Sequence, residues 1–210
     1  MQIPGLPDPA ISRLVRCVVG LGLFGAGIAF IIAADWGLGP WDVLHHGLSE
    51  RTGIAIGTLI ILVGAAAMVL WIPLRERPGW GTVINTIEIG LVVNLLEPRL
   101  GTFDSVPTRS AALIGGVVIV ALGSGIYLGA GLGSGPRDGL MMGLERLGLS
   151  VRLGRTIIEA TVLALGFLLG GSVGVGTLVF ALGIGPLVQV FLPRFRLDRE
   201  PTVPARARAR

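Results

Sequence analysis

"GLGPWDVLHHGL" (Gly37 to Leu48) and "GSGPRDGLMMGL" (Gly133 to Leu144) share one spelling, Gly-x-Gly-Pro-x-Asp-x-Leu-x-x-Gly-Leu, repeated 96 residues apart. Each follows a long apolar run. The paired glycines let the backbone leave a helix without steric cost, and proline suits the first position of a new helix, where its missing N–H would have no partner anyway. The spelling therefore predicts a helix that breaks and restarts, twice, with half-helices near 40–50 and 136–147. Asp42 and Asp138 then fall at the third helical position. A carboxylate there meets unpaired N–H groups and the positive end of the helix dipole.

The likeness extends outward from these elements. With a shift of 96, Gly20, Gly27, Ala34, Gly37, Gly39, Pro40, Asp42, Leu44, Gly47 and Leu48 all meet identical residues. With a shift of 95, Gly79, Gly81, Thr82, Ile89, Gly90, Val93, Pro98 and Arg99 do the same. The shared order is span, half-helix, span, span. A unit that crosses a membrane three times forces its successor to enter from the opposite side, so the expected arrangement is an inverted repeat with a pseudo-two-fold axis in the membrane plane.

A membrane is what the composition requires. Of the 210 residues, 52% are hydrophobic and only 14% charged, and the mean hydropathy is +0.80; no ordinary water-facing surface is that apolar. Six runs are long enough to cross about 30 Å of hydrocarbon, near 14–34, 54–73, 80–97, 110–131, 153–170 and 174–192. The fold class expected is an all-α polytopic membrane protein: six transmembrane helices in two inverted three-helix repeats (14–100 and 110–196), each with a half-helix after its first span. A cytoplasmic segment, 1–13, precedes them and a basic tail, 197–210, follows. The lone Cys17 lies inside an apolar run and reads as a packing residue. All 17 basic residues are arginines. Six spans with a cytoplasmic N-terminus put only Arg51, Arg99 and Arg109 outside, and the positive-inside rule favours that orientation. Both termini are then cytoplasmic, and the tail "PTVPARARAR" is expected beside anionic lipid, not on nucleic acid.

At the residues of the doubled element the chain resembles the YczE/YyaS/YitT membrane proteins. Their duplicated core carries a Gly-x-Gly-Pro-x-Asp element, here Gly37 to Asp42 and Gly133 to Asp138. The resemblance covers residues 14 to 196 and is nearest the YczE-like branch, because YitT-type relatives add a soluble C-terminal domain where this chain has a short Arg-rich tail. It implies a multi-pass protein of the bacterial cytoplasmic membrane and names no substrate.

The residues themselves outline a site. Half-helices restarting within the membrane present two anion-friendly N-termini, as several transporter folds do at the midplane. The candidate substrate-binding residues are Gly39, Trp41, Asp42, His45, Gly135, Arg137 and Asp138. The halves differ in lining, since Trp41 stands where the other half has Arg137, and His45-His46 stand where it has Met141-Met142. An aromatic face with a guanidinium suits an organic molecule bearing an anionic or aromatic group. Glu88 and Glu159 sit midway along expected spans, where an ionised carboxylate costs at least about 2.5 kcal/mol and needs a polar interior. With Asn85 they form a candidate proton-coupling set. Adjacent histidines point about 100° apart on a helix, so no metal site is expected.

The expected function is secondary transport of a small organic solute across the cytoplasmic membrane, inward or outward, with proton coupling. The alternative is a non-transporting membrane partner that assembles with or regulates another complex. No nucleophile–base or metal-ligand spacing appears, so neither an enzyme nor a cofactor is expected. The partners expected are the lipid bilayer, the small-molecule solute and another copy of the chain, with no nucleic acid.

Overall fold

The computed structural model describes residues 9–74 and 76–197; the first eight residues, Arg75 and the expected basic tail from 198 onward lie outside the described residues. Among the described residues every regular element is an α-helix. In chain order they are α1 (Pro9–Ala34), α2 (Pro40–Thr52), α3 (Ile56–Leu74), α4 (Trp80–Leu100), α5 (Val106–Gly129), α6 (Pro136–Arg146), α7 (Val151–Leu168) and α8 (Val175–Phe195). The half-helices α2 and α6 begin where the sequence puts them, each with proline at its first position after an extended glycine, Gly39 or Gly135. Ser105 and Ser150 cap α5 and α7, accepting hydrogen bonds from the Thr108 and Leu153 amides at 3.3 Å. The Thr82 and Thr177 hydroxyls accept the Gly79 and Gly174 amides at 3.2 Å, closing the starts of α4 and α8 in the same way.

Four helices, α1 from Ala10, α3, α5 and α8, are long and apolar enough to cross a membrane. The other two long helices coincide with the remaining expected spans but are more polar. Helix α4 carries Asn85, Glu88, Asn94, Glu97 and Arg99, and α7 opens with Arg152, Arg155 and Glu159 in its first half.

The centre of the molecule is the crossing of α1 and α5. A methyl group on Gly20 would lie 2.8 Å from the Gly123 carbonyl oxygen, and one on Gly27 would lie 2.7 Å from that of Gly116. Only glycine permits this approach, and small residues at such crossings are how helices pack where no hydrophobic effect drives them together. Because Gly20 meets Gly123 and Gly27 meets Gly116, the two helices run antiparallel. The residues 96 positions on from Gly20 and Gly27 are Gly116 and Gly123, so each contact is the image of the other. Helix α4 lies along α1, with Gly22 facing Glu88 and Gly25 facing Val92. Helix α8 lies along α5 in the same parallel sense, with Gly125 against Phe191 and Gly129 against Phe195. These four helices enclose the larger core, where Cys17, Leu21 and Ile28 meet Val93, Val120 and Ile184. A smaller core of Trp41, Ala67, Trp71, Leu140 and Val162 joins α2, α3, α6 and α7.

The breaks before the half-helices are tied down across the halves. The Trp36 carbonyl accepts the Gly176 amide at 2.7 Å, and the Leu132 carbonyl accepts the Gly81 amide at 2.9 Å. Gly37 (φ 100°) and Gly133 (φ 124°) take a backbone conformation that other residues rarely adopt. Each also packs on a glycine of the other half, Gly174 or Gly79. The start of α8 thus fastens the first break and the start of α4 the second.

Gly123→Ala should lower the thermal unfolding temperature of the detergent-purified protein, for an overpacking cost of about 1–3 kcal/mol. Gly115→Ala on the same helix, where a methyl meets nothing within 4 Å, should be neutral or stabilising. Equal effects of the two would contradict the crossing.

Candidate functional site

Both restarts open into one cavity of about 330 Å³, reached by side chains of α1 to α8. That is the lower end of the range of about 300–1,000 Å³ usual for small-molecule sites. The level of the restarts follows from what they touch. Pro136 packs on Gly64, the ninth of the 19 residues of α3, so α6 begins halfway along a helix long enough to span. The Trp71 indole N–H donates to the Pro136 carbonyl at 2.9 Å, and the ring lies close enough to Gly139 to leave no room for a side chain there. Gly39 lies against the Phe180 ring and Gly135 against Asn85. Those two residues are 95 positions apart, the sixth of α8 and of α4.

The two aspartates, identical in sequence position, do different work. Asp138 turns back on its own helix, and its Oδ2 accepts the Gly135 amide at 3.1 Å. The hydroxyl of Tyr127, the chain's single tyrosine, lies beside the same carboxylate. Asp42 turns outward instead. Its Oδ1 lies 3.2 Å from Nδ1 of His45, one helical turn on, and both residues are buried. With Asp42 ionised the imidazole N–H donates. The same oxygen lies 3.7 Å from Nη2 of Arg137, which comes from the other half. The expectation of two equivalent caps is therefore met at α6 and altered at α2, because the residue before each aspartate differs: Arg137 reaches across and draws Asp42 away from its own N-terminus.

Arg137 also lies over the Trp41 ring, 5.1 Å from its centroid, so the residues at equivalent positions in the two halves stack on each other. A guanidinium has five N–H donors. Its separation from Asp42 exceeds hydrogen-bond length, and it makes no hydrogen bond among the described residues. One turn along the opposite wall, Arg155 Nε donates to Glu159 Oε1 at 2.8 Å.

All seven residues expected to bind substrate (Gly39, Trp41, Asp42, His45, Gly135, Arg137 and Asp138) line this cavity, as do Asn85 and Glu159. Glu88 does not. It lies at the α1–α4 seam above Gly22, partly exposed. Asn85 and Glu88 are three residues apart, a rotation of about 60° around the helix, enough to turn one to the cavity and the other to the seam. His46 also falls outside the lining, and Met141 belongs to it while Met142 is exposed. Sequence reasoning overlooked Tyr127, Arg155 and Gln189. Ser124 and Tyr127 are three apart on an otherwise apolar helix, and Arg155 stands one turn before Glu159; both spacings were visible.

The comparisons with known proteins agree in kind. A family model described as a family of unknown function, DUF6198, matches residues 11–193. The chain is 39% identical over 173 residues to an uncharacterized protein of Haemophilus influenzae, covering 82% of this chain and 79% of that one. It is 33% identical over 191 residues to the uncharacterized membrane protein YczE of Bacillus subtilis, covering 88% and 87%. To the uncharacterized protein YyaS of the same organism it is 27% identical over 180 residues, covering 83% and 90%. No solved structure matches.

Asp138→Ala should loosen the first turn of α6 by about 1 kcal/mol, the usual worth of a capping side chain. Hydrogen exchange at Arg137 to Gly139 should rise roughly fivefold, while Asp42→Ala leaves exchange at the start of α2 unchanged. Equal acceleration at both starts would refute the division of roles.

Proposed function

This chain is a YczE/YyaS-like membrane protein of the DUF6198 family, and on that premise we propose that it is a secondary transporter carrying a small organic solute across the bacterial cytoplasmic membrane. The observation that carries the reading is the meeting of two half-helix N-termini in one cavity, that of α6 at the level of the middle of α3. Unpaired N–H groups and helix dipoles at that depth favour an anionic group. The aromatic rings of Phe24, Trp41, Tyr127 and Phe180 around the cavity favour an apolar, unsaturated body.

Six spans in two inverted halves give this cavity a mechanism. The antiparallel crossing of α1 and α5 supports that arrangement, as do the matched hydrogen bonds from Trp36 and Leu132. If one half rocks against the other about the glycine crossing, the cavity faces the two sides in turn. The arginine distribution supports cytoplasmic termini. No side chain of this chain is assigned a catalytic role, and no cofactor enters the reading. The carboxylates that line the cavity, among which a proton-coupling group is to be sought, are Asp42, Asp138 and Glu159; Glu88 stands apart from them.

Purified protein in proteoliposomes tests the proposal. Uptake of radiolabelled para-hydroxybenzoate, corrected for protein-free vesicles, should saturate and should rise with an inward proton gradient. Arg137→Gln should reduce it at least about tenfold, the loss of a charge-assisted hydrogen bond. Saturable flux absent for this solute and for a panel of other small organic anions would overturn the transport reading. A stoichiometric partner recovered with such inactive protein would favour the assembling or regulatory role instead.

Topology has its own test. Thr52 ends α2 and Leu147 follows α6, and both are exposed. In a Cys17→Ala background, Thr52→Cys should react with a membrane-impermeant maleimide in intact cells, whereas Leu147→Cys should react only after permeabilisation. Labelling of both from one side would rule out inverted halves.

A further inference from the structure

Three facts about Arg137 and Asp42 belong together. Among the described residues the guanidinium in the cavity has no hydrogen-bonded acceptor, and the carboxylate ion-paired with it is Asp42, at 3.7 Å, while Asp138 also feels its charge. Its flat face is already occupied by Trp41, which leaves the N–H edge to meet a ligand. The Asp42 carboxylate, buried almost completely, is held by His45 on the same oxygen that faces Arg137. A planar carboxylate fits the open edge of a guanidinium with two parallel hydrogen bonds, which Asp42 does not make at its present distance.

We propose that the solute is an aromatic monocarboxylate that takes Arg137 from Asp42, and that the Asp42–His45 pair accepts one proton as it does so. This rests on the transport reading and names both the substrate class and the coupling group. Once the ligand carboxylate holds Arg137, Asp42 has lost its cationic neighbour and, itself buried, faces a second negative charge at close range. Two carboxylates so placed do not both stay ionised, and the imidazole on Asp42 gives the incoming proton a second seat. The balance is one anion and one proton bound together, so net charge does not move with the solute. No bond is made or broken beyond the proton's transfer from water to the pair.

The other ionisable groups near Asp42 are committed elsewhere. On α6, Asp138 holds the Gly135 amide and neighbours Tyr127 of α5. On α7, Glu159 is paired with Arg155 at 2.8 Å. Helix α3, which packs on α2, carries no ionisable residue, and α4 and α8 bring only the uncharged Asn85 and Gln189 as amides to the cavity. On α2 itself His46 lies outside the cavity, and Glu50 and Arg51 stand at the far end of the helix.

Titration calorimetry of para-hydroxybenzoate with the detergent-purified protein, at neutral pH in phosphate and in Tris, reads the proton count from the difference in heats. The wild-type protein should take up close to one proton per ligand bound. Asp42→Asn should still bind, within roughly tenfold of the wild-type affinity, and take up none; Glu88→Gln, outside the cavity lining, should still take up one. Thermal unfolding of each variant confirms that it is folded, and the wild-type count stands without them. Binding with no proton uptake by the wild type, undiminished uptake in Asp42→Asn, or absence of binding each overturns the assignment. Saturable flux of a different solute in vesicles would leave the transport reading standing even then.

Discussion

A polypeptide that leaves its helix where packing shuts out water must pair the N–H and C=O groups it exposes, and each unsatisfied group costs several kcal/mol. Everything distinctive here depends on how that cost is avoided. The segments before α2 and α6 hand their carbonyls, from Trp36 and Leu132, to the first turns of α8 and α4. Those first turns have spare amides because helix starts always do. Two sets of orphan groups, a break and a helix start, satisfy one another, and the pairing joins the two halves of the chain. Neither half closes its own break.

The glycines serve the same end. At the α1–α5 crossing they bring two backbones into direct contact, which fixes the offset between the halves. At Gly37 and Gly133 they allow both the left-handed turn and the approach of the opposite helix start. Once the crossing and the breaks are set, the N-termini of α2 and α6 have one place to go, and the cavity forms between them. Trp71, bonded to Pro136 and laid against Gly139, holds the second restart in position.

Within that symmetrical frame the chemistry is unequal. Asp138 completes its own helix, whereas Asp42 is drawn toward Arg137 and His45. The difference traces to one pair of residues, Trp41 and Arg137, which occupy equivalent positions and stack on each other. A duplicated scaffold supplies the geometry, and the departures from duplication supply the polarity. This is why the residues that break the repeat carried as much functional signal as those that keep it.

Much of the fold was legible in the chain. The doubled Gly-x-Gly-Pro-x-Asp, the apolar run lengths and the offsets of 96 and 95 follow from local rules: proline lacks an N–H, glycine tolerates positive φ, and hydrocarbon excludes charge. These constraints act on a residue and its near neighbours, so a single sequence records them, including the seven cavity residues at the starts of the two half-helices. What the sequence by itself determined was the number and kind of elements and where they break. Tertiary structure alone decided which helix start closes which break, that Gly20 meets Gly123, that Asp42 faces Arg137, and that Glu159 enters the cavity while Glu88 turns to a seam. Each of these depends on the rotation of a helix about its axis and on a neighbour far along the chain, quantities that spacing within one helix leaves open.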